Sequence, residues 1–138
     1  MVRLPPQAWM CVTALLLGCA TPAVPLLSTG PDTVQIQRNG AWHDRISSDE
    51  SAQDCATFLL SSADVRDFLT RARPVSERTY AHELDASRCV ASGSARFFPG
   101  VTGQWQIDRE RRGLLTLSDG RTLYLHCGAC KAAAFDVR

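Results

Sequence analysis

Between Ser87 and Cys127 the chain repeats one device: a short run of strand-forming residues, then a turn. The runs are "SRCVASGSARFF", "GQWQID", "GLLTLS" and "RTLYLHC", divided by "PGVT", "RERR" and "DG". Alternation places Trp105 with Ile107, Leu115 with Leu117, and Leu123 with Leu125 and Cys127 on single faces. Asp119-Gly120 suits a tight hairpin, because glycine accepts the positive φ that such turns need. Three hairpins in succession predict an antiparallel meander. Phe97 and Phe98 are neighbours, so a strand must turn one of them outward.

Upstream, the spacing predicts a helix over residues 62–73. Val65, Phe68, Leu69 and Ala72 fall at i, i+3, i+4 and i+7 and make one apolar stripe. Ser61 with Asp64 forms a capping-box pattern, flanked by Leu60 and Val65 as a hydrophobic staple. Asp64 and Asp67 stand near the positive end of the helix dipole, and Arg71 and Arg73 near the negative end. Pro74 is expected to stop it. "TVQIQR" (33–38) reads as a short strand, Asn39-Gly40 as a turn, and residues 43–54 as polar loop. "ERTYAHEL" (77–84) reads as a strand with Tyr80, His82 and Leu84 on one face, or as further helix. The expected fold class is α+β: an antiparallel meander of about four to six strands with one short helix packed on it, stabilised by disulfides.

The first 32 residues follow different rules. Arg3 is the only charge before Asp32, and "AWMCVTALLLG" (8–18) is apolar. That run is too short to span a bilayer, which takes about 20 residues. A positive start, a short apolar core and a small residue before the break describe an export signal. Leu16, Leu17, Gly18 and Cys19 resemble a bacterial lipobox, although Leu17 departs from the smaller residue that is commoner there. The resemblance implies cleavage before Cys19 and lipidation of its thiol. Ala20 in place of aspartate implies the periplasmic side of the outer membrane. Cys11 would leave with the signal. Residues 19–32 carry three prolines in "ATPAVPLLSTGPD" and read as a flexible tether. The expected organisation is therefore a signal (1–18), a lipidated cysteine and tether (19–32), and one domain (33–138).

Of the six cysteines, Cys55, Cys89, Cys127 and Cys130 remain for the domain. In an oxidising compartment an even set reads as two disulfides, with three possible pairings. The expected architecture favours Cys55–Cys89, clipping helix to sheet, and Cys127–Cys130, closing the last strand around Gly128. "HCGAC" could alternatively be a redox dithiol or a zinc half-site. Redox chemistry wants the first cysteine at a helix N-terminus, and here it ends a strand. Zinc would need His126, which alternation points away from Cys127, or the distant His82. A haem anchor needs histidine where Lys131 stands. No cofactor, metal site or catalytic residue is expected. His82, Glu83 and Asp85 could act as base and acid, but a solvated surface accounts for them as well, as it does for His43-Asp44.

The chain holds 15 basic and 14 acidic residues among 138. Loss of Arg3 with the signal would make it formally neutral. A nucleic-acid partner is excluded on that ground, since such surfaces need a basic excess. The expected partners are the membrane, through the lipid at Cys19, and a protein or envelope component. Phe97, Phe98, Arg109, Arg111 and Arg112 are the candidate contact residues, together with the sheet edge. From Cys55 to Cys130 the order of features resembles small uncharacterised exported proteins of Proteobacteria, a resemblance that implies no activity. Lysozyme-inhibiting lipoproteins and immunity proteins share the size, compartment and disulfides as a class, without their motifs appearing here.

Overall fold

A computed structural model describes residues 29–136. The apolar run, the lipobox with Cys19, and residues 20–28 of the expected tether lie outside the described residues. Six strands form one antiparallel sheet: β1 (Thr33–Trp42), β2 (Arg73–Val75), β3 (Cys89–Phe97), β4 (Val101–Asp108), β5 (Arg112–Leu117) and β6 (Thr122–His126). Their order is β1-β3-β4-β5-β6-β2, so the meander β3 to β6 forms the centre and the two earlier strands close its edges. Two α-helices accompany it, α1 (Ala52–Cys55) and α2 (Ser62–Arg71), with a π-helical turn at Thr79–Glu83 and a 3-10 turn at Ala133–Phe135. The α+β expectation holds.

One face of the sheet carries the core. Ala91, Ala95, Trp105, Ile107, Leu115, Leu117 and Leu125 point into it from the meander, and Val65, Phe68 and Leu69 of α2 meet them. Phe58 and Phe135 fill the remaining space, with ring centroids 5.9 Å apart. The helix begins as its sequence requires: the Ser61 hydroxyl accepts from the Asp64 N–H at 3.1 Å, and the Asp64 carboxylate accepts from the Ser61 N–H at 2.8 Å. Phe68 sits directly on Gly113, where a Cβ would lie 2.6 Å from its ring. Gly93 lies similarly under the Trp105 indole, whose N–H donates to the Ser94 carbonyl at 3.0 Å.

The disulfides are Cys55–Cys89 and Cys127–Cys130. The first ties α1 to the start of β3, and the second closes a four-residue turn after β6. That turn does not use a left-handed Gly128; the glycines with positive φ are Gly30, Gly40, Gly100 and Gly120. Gly120 (φ 89°) ends a three-residue hairpin loop, with Leu117 N–H donating to the Arg121 carbonyl at 2.8 Å. Asp119 does not take a positive φ, so this is a turn with a bulge and not a two-residue loop.

Three local expectations are corrected, and one open choice is decided. Asn39-Gly40 is no turn: β1 runs through it to Trp42 with irregular register on both sides of Arg38. Gly40 (φ 57°) takes up the bulge, and the Asn39 amide exchanges two hydrogen bonds with the Leu60 backbone, at 2.8 and 3.0 Å. Helix α2 ends at Arg71, before the expected stop. Pro74 lies instead in edge strand β2 opposite Leu125, where a missing N–H costs nothing, and it holds Arg73 extended. Of the two alternatives for residues 77–84 the helical one is realised, as the π-helical turn at Thr79–Glu83, since the Ser76 hydroxyl accepts from the Thr79 N–H at 3.0 Å and starts a helical path. Finally, the tether stops short of residue 32. Gly30 and Pro31 are buried, with Gly30 pressed against Thr70 and the Pro31 carbonyl accepting from Arg66 Nη1 at 2.9 Å.

Candidate functional site

The β4–β5 hairpin, which carries the three candidate contact arginines, turns inward. Arg109 and Arg112 are buried, and each meets a carboxylate. Arg112 Nε donates to Asp108 Oδ2 at 2.8 Å, its N–H donates to Asp108 Oδ1 at 3.1 Å, and Nη1 donates to the Tyr80 carbonyl at 2.8 Å. Arg109 Nη1 lies 3.3 Å from Glu50 Oε1, while Nη2 donates to the Asp54 carbonyl at 2.7 Å. Ser87 joins the two pairs: its hydroxyl donates to Glu50 at 2.7 Å and accepts from the Cys89 N–H at 3.0 Å, and its N–H donates to Asp108 at 3.4 Å. Only Arg109 Nε, among the described buried side-chain atoms, has no partner. Arg111 (φ 62°) occupies the bulge position usually held by glycine and reaches Asp136 at 2.9 Å.

Burial works against the charge of Glu50, but hydrogen bonds from Ser87, the Arg88 N–H and Ser48, with Arg109 beside it, hold its carboxyl below the ordinary range. Asp108 goes the other way: burial pushes its carboxyl up to about 6 in spite of Arg112. The cleft beside this network is lined by Ser48, Glu50, Asp54, Ala86, Arg109 and Glu110. It holds three carboxylates, Glu50, Asp54 and Glu110, against the one guanidinium of Arg109, and the Ser87 hydroxyl beside it is 1 % exposed and beyond the reach of a substrate. The network braces the hairpin, the loop carrying Glu50 and the Cys55–Cys89 end of the sheet. Arg109 and Arg112 thus leave the candidate contact surface, and so does Phe97, which is fully buried. Arg111 is half-buried, and Phe98 alone of the set is freely exposed, at 73 %.

The other candidates are placed as follows. His82 is exposed, and its neighbour Glu83 turns to Thr79 and Arg78, not to the imidazole. Cys127 and Cys130 are buried and bonded to each other at the end of β6, so as they stand they offer no thiolate to a metal or a substrate. His126, Arg71 and Arg73 line the groove beside them.

The face of the sheet opposite the core is uncovered at its centre. Register aligns Gln35, Ser94, Gln104, Thr116 and Thr122 in one row across five strands. A second row runs Ser92, Gln106, Leu114 and Tyr124. The first row contains no charge, and the second meets one only at Arg38 of β1, which pairs with Ser92. Apart from a 3.4 Å contact between Ser94 and Gln35, and the Tyr124 hydroxyl, which Glu77 engages, the side-chain amides and hydroxyls of both rows are not engaged with other side chains among the described residues. Gln37, Ser92, Gln104, Gln106, Leu114 and Thr116 line a shallow hollow there. At the β6 side Tyr124 stacks against Tyr80, with centroids 5.2 Å apart. The alternation that buries Trp105 and Ile107 also makes this face, so its polarity was legible in "GQWQID"; its neutrality and width needed the register. No protein family, curated protein or solved structure matches the chain.

Proposed function

We propose that this chain is a lipoprotein, anchored through Cys19 on the periplasmic side of the outer membrane, that binds a protein or envelope component and catalyses no reaction. The neutral open face of the sheet is its contact surface. The observation that carries the binding role is that face: amides and hydroxyls in two neighbouring rows that carry no charge from β3 to β6, flanked by Arg96 at one end and the Asp108–Arg112 pair at the other. Such a surface offers donors and acceptors at little desolvation cost compared with charged groups. Two disulfides in a domain of this size suit an oxidising compartment, which supports export.

Two measurements test the reading. The mass of the mature chain from the membrane fraction must equal the polypeptide from Cys19 plus its acyl groups. A photo-crosslinking residue at Gln104 or Thr116 must capture one partner in intact cells, and the same residue at Gln53 must not. Equal capture from all three positions would move the contact surface elsewhere, and a soluble chain with reduced thiols would end the proposal.

A further inference from the structure

We infer that the β3–β4 hairpin tip docks on the lipid surface, with the Phe98 ring seated at the boundary of headgroups and acyl chains. This rests on the lipid anchor proposed above. Phe98 is the most exposed large apolar side chain among the described residues, at 73 % against 57 % for Leu59 and 39 % for Trp42. It is held outward by construction. Phe97 before it is fully buried, Gly100 donates its N–H back to the Phe97 carbonyl at 2.7 Å, and Pro99 and Gly100 complete an exposed tip. The ring therefore cannot fold back into the core without pulling Phe97 out of it.

The position of the entering chain says what covers the ring. The Asp32 N–H donates to the Arg96 carbonyl at 2.7 Å, and Thr33 pairs with Arg96, two residues before Phe98. Arg66 holds the Pro31 and Asp32 carbonyls, and Gly30 is packed against Thr70. The chain from Cys19 thus reaches the domain at the end that carries Phe98. Residues 20–29 span at most about 35 Å even when fully extended. A lipid on Cys19 accordingly keeps this end of the sheet nearest the bilayer, and the far end, with Cys89 and the Glu50–Arg109 pair, farthest from it.

Charge plays a small part in this contact. At the neighbouring β5–β6 loop Arg121 and Asp119 satisfy each other at 2.7 Å. The contact is an inserted aromatic ring, which favours the interface between water and hydrocarbon, added to acyl chains. Docked in this way, the strands stand along the membrane normal and the neutral face looks sideways into the periplasm.

The test uses the full lipidated chain in vesicles of phosphatidylethanolamine and phosphatidylglycerol, with some lipids brominated on their acyl chains. Phe98→Trp adds a reporter at the tip, and Gln53→Trp adds one at the far end; both sites are exposed, so neither change disturbs the core. Measured against the parent chain, whose Trp42 and Trp105 set the background, the expected result is added emission that is blue-shifted and several-fold quenched for the Phe98→Trp reporter and neither for the Gln53→Trp reporter. If the mass shows acyl groups on Cys19 and the tip reporter is unquenched, the docking inference falls while the anchor stands. A mass without acyl groups removes both.

Discussion

Asp108 and Glu50 are two carboxylates of one network that respond to pH in opposite directions. Burial raises Asp108 to about 6, above the roughly 3.9 of an unfolded aspartate. The folded state therefore holds that proton more tightly, and the stability this group contributes is greatest below about pH 4 and falls as pH rises to about 6. Glu50 is depressed, so its contribution is present above the unfolded value and is lost as pH falls through the folded one. Arg112 keeps Asp108 from rising further. Arg112→Met should thus cost about 3–5 kcal/mol at pH 7 by leaving a buried carboxylate without its counter-charge. The loss should shrink at pH 5, where the carboxyl takes up a proton; urea denaturation at the two pH values checks this, and an equal loss at both would mean that Asp108 does not titrate as described.

Elements of this fold are set by their neighbours as much as by their own residues. Helix α2 starts where its capping box directs and buries the stripe its spacing predicts. Its seat is Gly113, the residue of β5 over which the Phe68 ring lies. Gly113→Ala would place a methyl group 2.6 Å from that ring, and overpacking of this kind costs about 1–3 kcal/mol. Thermal unfolding should show it, and Phe68→Leu in the same chain should recover part of the loss by making room. An unchanged midpoint for Gly113→Ala would mean that α2 slides freely on the sheet. Asn39 and Gly40 make the same point in reverse: a pattern that favours a turn became a bulge because Leu60 takes both bonds of the Asn39 amide.

At the scale of the molecule the two disulfides are unequal. Cys55–Cys89 closes a separation of 34 residues and joins the helical layer to the sheet. Cys127–Cys130 closes a separation of 3 within one turn. Chain entropy assigns about 4 kcal/mol to the first and about 2 to the second. Replacing Cys55 and Cys89 together by serine should therefore lower stability about twice as much as replacing Cys127 and Cys130. Guanidinium titrations of the two double variants compare them directly, and a larger loss from the second pair would point to a role for the C-terminal turn beyond cross-linking. Alkylation of the native chain without reductant should label none of these four cysteines.

The amino-acid pattern by itself determined the meander, the faces of its strands, the start and stripe of α2, and that Phe97 and Phe98 take opposite sides. These follow from periodicities of 2 and 3.6 and from local capping, which act over a few residues. Tertiary structure alone decided that Arg109 and Arg112 go inside, because Arg109 meets Glu50 from 59 residues away and Arg112 meets the Tyr80 carbonyl from 32 residues away. It also decided that the chain from Cys19 arrives beside Phe98, because only the pairing of β1 with β3 brings Asp32 to Arg96. Long-range pairing of this kind leaves no mark on the composition of either segment, since each residue type is equally at home in water until its counterpart closes over it.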